Sequence, residues 1–202
     1  MALQFVKTLQ NASEIFGDLG YQLNGIDQVD LVETELPKWF KEEKYLVGDF
    51  YQGDFLNWKS KNKYDIVTSF GFIEHFKNFD EIIELQCNLV KKGGHILIET
   101  PNFKGFSQRW LRYFLDKKNL DRHYIPSMNI EKWEKVLKHN NFEIIEKKYL
   151  GNFSIWVENQ ERNKIQKLTL RALKKFNSFL SKNLPSNHKH FSPYLGVIAV
   201  KK

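Results

Sequence analysis

Glu74 and His75 stand side by side just beyond an apolar run, in the stretch YDIVTSFGFIEHF, residues 64–76. The run ends in a glycine, Gly71, and then presents a carboxylate and an imidazole. Three further places put polar chemistry at the end of a strand-like segment. Asp27 closes LNGID, where an acid accepts hydrogen bonds from a ribose diol. Asp54 is followed by Phe55 in GDFYQGDF, an acceptor beside an aromatic face, which suits an adenine amino group and ring. Thr100 to Asn102 follow the strand HILIETP. Singly, Asp27 and Asp54 read equally well as turn or N-cap aspartates. Together, in strand order, they favour a nucleoside-like ligand. His188 and His190, in SNHKHF, have no carboxylate or cysteine cluster nearby and read as loop residues, so no metal is expected. Cys87, in the middle of a helical pattern, reads as a packing residue.

Positioning these residues requires strands that end together. Hydrophobic periodicity predicts a helix over LQNASEIFGDLG ending at Gly20, a short strand YQLNGID, and a strand-like run near Tyr45–Val47. It predicts a strand YDIVTSF, a helix over FDEIIELQCNLVKKGG stopped by Gly93 and Gly94, and a strand HILIETP. The helix stripe is Phe79, Ile82, Ile83, Leu89 and Val90, with acids early and lysines late to match the helix dipole. A later helix, NIEKWEKVLKHNN, has Asn129 as its N-cap. FEIIEKKYL and YLGVIAVKK follow as strands. Alternating strands and helices argue for an α/β fold with a mostly parallel sheet. The last two strands, joined by the long excursion 151–193, form an antiparallel edge pair. In such sheets ligands lie beyond the carboxyl ends of the strands, where the polar residues above are found.

At 202 residues and 24.1 kDa the chain suits a single domain, 1–202. No apolar run approaches the roughly 18–20 residues of a membrane span, and the start shows no signal-peptide pattern. One cysteine leaves no internal disulfide and fits a cytoplasmic setting. The net charge of +7 is unevenly distributed. Residues 159–202 carry ten Lys and Arg against one acid, Glu161, while the body of the chain is slightly acidic. Within that basic segment, NKIQKLTLRALKKFNSFLSKNL places Ile165, Leu168, Ala172, Phe176 and Phe179 on one helix face, flanked by lysines and arginine. Such a helix over 160–183 suits an anionic membrane surface, at the inner face of the membrane, or a phosphorylated substrate. The plainer reading is that its apolar face packs on its own domain. Nucleic acid does not fit, because the basic residues are not interleaved with exposed aromatics on a strand platform. No Gly-x-Gly-x-x-Gly stretch is present, which argues against a dinucleotide oxidoreductase.

LNGID, GDFYQGDF, YDIVTSFGFIEHF, LVKKGGHILIETPNF and NIEKWEKVLKHNNFEIIE occur in an order that resembles class I S-adenosylmethionine-dependent methyltransferases, nearest to the small-molecule O-methyltransferase-like group. The resemblance covers residues 10–150 and implies a Rossmann-like methyltransferase fold with S-adenosylmethionine as cofactor. It implies that Asp27 holds the cofactor's ribose hydroxyls and that Asp54 and Phe55 meet its adenine. It places Phe70 and Gly71 along the methionine half, where a glycine lets backbone approach closely. It puts His75 facing the site, and His123 with Tyr124 on the acceptor side. One departure is large: the family's first strand and its Gly-rich loop have no counterpart before Leu9. Three readings follow. The natural start lies upstream, the gene is a shortened remnant, or ALQFVKTL, residues 2–9, takes the strand's place.

Methyl transfer asks a protein to align an acceptor with the methyl carbon and exclude water. A hydroxyl acceptor is helped by a base of pKa near working pH, and His75 and His123 are the candidates. Each has a plainer alternative, a packed or a loop histidine. The expected activity is methyl transfer to a small molecule, with a hydroxyl of a saccharide, lipid-linked intermediate or secondary metabolite as acceptor. The alternatives are a truncated, non-catalytic remnant and a basic module that binds a membrane or a partner.

Overall fold

The computed structural model describes residues 13–202. The proposed strand ALQFVKTL and the first four residues of the predicted first helix lie outside the described residues. The chain forms two compact units, the first ending at Lys61 and the second running from Asn62 to Lys202.

The first unit holds helix α1 (13–18), strand β1 (Leu23–Asp27), helices α2 (Leu31–Thr34) and α3 (Leu36–Glu42), and strand β2 (Val47–Gln52). Gly20, at φ +81, turns the chain out of α1 as the sequence predicts. β1 and β2 pair in parallel, from Leu23 opposite Val47 to Asp27 opposite Gln52. The strand expected near Tyr45–Val47 starts later. Lys44 takes φ +64, and the Tyr45 N–H donates back to the Phe40 carbonyl, so the chain is still closing α3 there. The unit's core is Leu23, Val32, Leu36 and Phe40, with Trp39, Tyr45 and Phe50 packed round it.

The second unit holds β3 (Tyr64–Phe70), a 3₁₀ turn (Ile73–His75), α4 (Phe79–Leu89), β4 (Val90–Pro101), α5 (Phe106–Leu115) and α6 (Lys117–Asp121). A second 3₁₀ turn (Ile125–Ser127), α7 (Ile130–His139), β5 (Phe142–Leu150), α8 (Lys164–Asn183) and β6 (Tyr194–Lys201) complete it. The sheet order is β3-β4-β6-β5. β3 and β4 are parallel, and β6 runs antiparallel to both β4 and β5. This is the predicted α/β arrangement with its antiparallel edge. Ile96 and Ile98 of β4, Val197 and Ala199 of β6, Ile82 and Ile83 of α4, and Trp133 and Leu137 of α7 are buried. Asn129 caps α7, its side-chain oxygen accepting from the N–H groups of Glu131 and Lys132.

Several expectations need correction. α4 stops at Leu89, before the lysines, because Val90 already has extended backbone and pairs with Tyr64. Lys91 and Lys92 therefore belong to β4, and Lys91 Nζ meets Asp65 at 2.9 Å. Gly93 and Gly94 shape the strand's entry rather than the helix's end. A Cβ on Gly94 would lie 2.8 Å from the Asp65 carbonyl oxygen. Ile66 and Val67 are only half-buried, and among the described residues β3 has a strand partner on one side only. β1 is likewise paired on one side. Helices α2, α3, α5 and α6 had no counterpart in the sequence reading.

Replacing Ile98 by alanine removes a wholly buried side chain from β4 and should cost about 2–5 kcal/mol. Asn129→Ala should cost about 1 kcal/mol through the lost cap. Urea unfolding of the two variants against the parent measures both.

Candidate active site

The carboxyl end of β3 carries the candidate catalytic groups. After Phe70, Gly71 takes φ +61 and donates its N–H to the Glu99 carbonyl at 3.0 Å. This bond to the neighbouring strand ends β3 and turns the chain into the 3₁₀ turn that presents Glu74 and His75. The loop after α6 arrives from the other side. The Tyr124 N–H donates to the Glu74 carbonyl at 2.7 Å, bringing the two turns together. As a result the rings of His75 and His123, 48 positions apart in sequence, lie 4.7 Å apart. One ligand-type atom from each of Glu74, His75 and His123 lies within 4.8 Å of the others.

Burial governs the electrostatics of this group. The Glu74 carboxyl is 1% exposed, and burial pushes its pKa up to about 8. Its Oε2 has no hydrogen-bond partner among the described residues. Burial pushes His123 down to about 4, with the charges of His75, Arg122 and Arg112 acting in the same direction. His75 is lowered too, first by desolvation and then by the Arg122 charge. Both imidazoles are therefore neutral at neutral pH. Each is oriented through Nδ1, His75 towards the Arg122 carbonyl at 3.2 Å and His123 towards the Asn119 carbonyl at 2.6 Å. The Phe103 ring packs edge-on against His123 at 4.8 Å.

A buried ion pair stands behind His123. Arg112 Nη1 donates to Asp116 Oδ2 at 2.9 Å, and both side chains are wholly buried. The guanidinium is held over the Phe103 ring at 4.7 Å and the Trp156 ring at 3.8 Å, and it also donates to the Trp156 carbonyl. Asp116 accepts from Asn119 Nδ2, the Glu158 N–H and Gln160 Nε2. The pair thus joins α5, α6 and the segment 156–160. Arg122 in turn meets Glu158 at 2.5 Å.

In the first unit, Asp27 ends β1 as expected. Its Oδ1 accepts from the Val29 N–H at 3.2 Å, so it also serves as the turn aspartate of the plainer reading. Asp54 does the same more fully, with Oδ1 accepting from Leu56 N–H and Oδ2 from Asn57 Nδ2. Phe55 lies 6.4 Å from the Trp58 ring. The structure therefore brings His75 and His123 together, joined by Glu74. Asp27, Asp54 and Phe55 lie in the first unit, and Phe70 and Gly71 in the second. Sequence reasoning named Glu74 without giving it a role, and it missed Arg112 and Asp116. Their i,i+4 spacing on a helix was the available signal.

Strand–helix alternation, a parallel β3–β4 pair and polar groups at its carboxyl end define a Rossmann-like α/β domain. A family model described as "Methyltransferase domain" matches residues 11–147. The chain belongs to that family, the S-adenosylmethionine-dependent methyltransferases of class I. Solved structures agree at the level of the fold. A SAM-dependent methyltransferase from Archaeoglobus fulgidus is 17% identical, with a TM-score of 0.57 over 97% of this chain and 94% of that one. Magnesium protoporphyrin IX methyltransferase from Synechocystis, solved with bound SAH, is 14% identical, with a TM-score of 0.58 over 96% of this chain and 70% of that one. The YcgJ protein of Bacillus subtilis is 13% identical, with a TM-score of 0.59 over 96% and 88%. No curated protein sequence matches the chain.

The residues present fit the family's cofactor in two places. Asp27 Oδ2 is left over from the turn and suits a diol. At Gly71 a Cβ would meet only Glu74 Oε1, at 3.5 Å, so the backbone there is open to close approach. Asp54 fits less well, since both its oxygens already accept a local hydrogen bond.

Replacing Asp116 by asparagine leaves the Arg112 charge buried without its counter-ion and should cost about 3–5 kcal/mol. Because α6 leads into His123, the imidazole resonances of His123 should shift in the same variant, as followed by NMR.

Proposed function

We propose that the chain transfers the methyl group of S-adenosylmethionine to a hydroxyl of a small molecule, at the carboxyl end of β3. The observation that supports this reading most is the convergence of two neutral, carbonyl-oriented imidazoles, His75 and His123, beside Gly71. When bound, the cofactor supplies an electrophilic methyl on a sulfonium, already a good leaving group. The protein's own work is then positioning. In the first unit Asp27 would accept hydrogen bonds from the ribose hydroxyls and Phe55 would offer its ring face to adenine with Asp54 beside it; in the second, Phe70 and Gly71 would line the methionine half. His75 and His123 accept the hydrogen bond of the acceptor hydroxyl and hold its oxygen in line. Such orientation is worth several kcal/mol of barrier, on the order of the gain from well-aligned intramolecular reactions. His123, pushed down to about 4, is too weak a base to take the proton at neutral pH and serves as a hydrogen-bond acceptor, so the proton falls to His75, a transfer worth a factor of about 10² or more. A saccharide, a lipid-linked intermediate or a secondary metabolite would each present such a hydroxyl.

A second reading concerns where the acceptor is met, and α8 supports it. The helix shows three faces. Leu170, Leu173 and Leu180 pack inward with Leu111, Leu115 and Phe153. Ile165, Leu168, Phe176 and Phe179 form a separate stripe and are all well exposed. The predicted apolar face therefore does not pack on its own domain; the face beside it does. Lys164, Arg171, Lys175 and Lys182 flank the exposed stripe, and the helix contains no acid. On α5, Phe106, Trp110 and Tyr113 are exposed as well. No helix among the described residues is long and apolar enough to cross a membrane. A cationic helix with an exposed apolar stripe fits an anionic bilayer surface, where the aliphatic and aromatic side chains enter the interface and the lysines meet lipid phosphates.

Calorimetric titration with S-adenosylhomocysteine should give a saturable heat, weakened in Asp27→Ala. His75→Ala should bind it as the parent does and lose roughly 10²-fold in turnover with a hydroxylated acceptor. Absence of binding by the parent would mean a methyltransferase fold without the activity.

For the membrane reading, the chain should sediment with phosphatidylglycerol vesicles and not with phosphatidylcholine ones. Phe176→Asp with Phe179→Asp should abolish this. Equal sedimentation of parent and variant would end the reading.

A further inference from the structure

We propose that Glu74, His75 and His123 form a binding site for a divalent transition-metal cation of the zinc type. The inference goes beyond methyl transfer and rests on the geometry of the second unit alone.

The two histidines are set up as ligands by what their other nitrogens do. A carbonyl oxygen can only accept, so Nδ1 of His75, facing the Arg122 carbonyl, and Nδ1 of His123, facing the Asn119 carbonyl, each carry the ring proton. Nε2 then holds the lone pair. A backbone carbonyl fixing the far nitrogen is the arrangement that orients metal-bound histidines.

Glu74 supplies the independent observation. It is buried, yet Oε2 has no donor, and among the described residues no lysine or arginine forms an ion pair with it. Burying a carboxyl without a donor is costly. A cation held by the three groups would displace the Glu74 proton and give the buried carboxylate the partner it lacks.

The donor set selects the ion. Two imidazoles and one carboxylate suit zinc and its first-row neighbours, whereas calcium and magnesium prefer oxygen ligands throughout. Three protein ligands leave a coordination position open. The three atoms lie within 4.8 Å of one another. Ligands round zinc stand roughly 3.3 Å apart, so the site must close by about 1.5 Å. His75, exposed at the end of its 3₁₀ turn, is the ligand that would make this move and admit the ion. With both Nε2 lone pairs on the cation, an acceptor oxygen would meet the ion in its open position in place of the imidazoles.

The test is titration of zinc chloride into the metal-stripped full chain by calorimetry, with cobalt(II) absorption as the second readout. The expected result is one zinc per chain and the visible bands of a four-coordinate cobalt site. Glu74→Gln and His123→Ala should each weaken binding roughly tenfold or more. A double H188A/H190A variant should bind as the parent does. His75→Ala, at an exposed position, tests the site without disturbing the core, and circular dichroism verifies that each variant is folded. No binding by the parent at roughly millimolar zinc, or parent-like binding by His75→Ala and Glu74→Gln, would overturn the proposal. So would loss of binding in the H188A/H190A double variant.

Discussion

The buried ion pair between Arg112 and Asp116 sets the geometry on which the candidate site depends. Each charge alone would be expensive in an apolar interior, and each is tolerated because the other is 2.9 Å away. Asp116 spreads its charge over donors from α6 and from the segment 156–160. Arg112 spends its remaining surface on two aromatic rings. The consequence reaches beyond stability. α6 starts at Asp116, His123 follows α6, and the Phe103 ring under Arg112 also supports the His123 imidazole.

The second constraint is desolvation. Glu74, His75 and His123 are gathered where the β3 exit meets the loop after α6, and the Tyr124–Glu74 backbone bond holds the two together. Withdrawing these groups from water pushes the acid up and the bases down. All three therefore favour their neutral forms: Glu74 keeps its proton and can donate, while Nε2 of each imidazole carries none and can accept. A solvated surface would not offer this, because there each group would titrate near its ordinary value.

Much of the scaffold was legible because regular periodicity reports regular elements. YDIVTSF, HILIETP, FEIIEKKYL and the Asn129-capped helix stand where their patterns put them. Short elements without such a pattern escaped: α2 has four residues and α6 has five, too few for a helical stripe to show. The stop assigned to Gly93 and Gly94 failed for a different reason. Val90 pairs with Tyr64, and a tertiary strand pairing overrides a local glycine signal. On α8 the sequence shows one apolar face clearly, but it does not reveal that the leucines beside it are the ones that pack.

The sequence by itself determined the alternation of strands and helices and the family, because strand and helix periods and the order of short motifs are local properties of the chain. It also determined which residue types stand at the strand ends. Only the tertiary structure decided that His75 and His123 meet, that Glu74 Oε2 is buried near them without a donor among the described residues, and that β3 is paired on one side only among those residues. Those facts depend on which distant segments come together, and side-chain contact across 48 positions leaves no trace in local pattern.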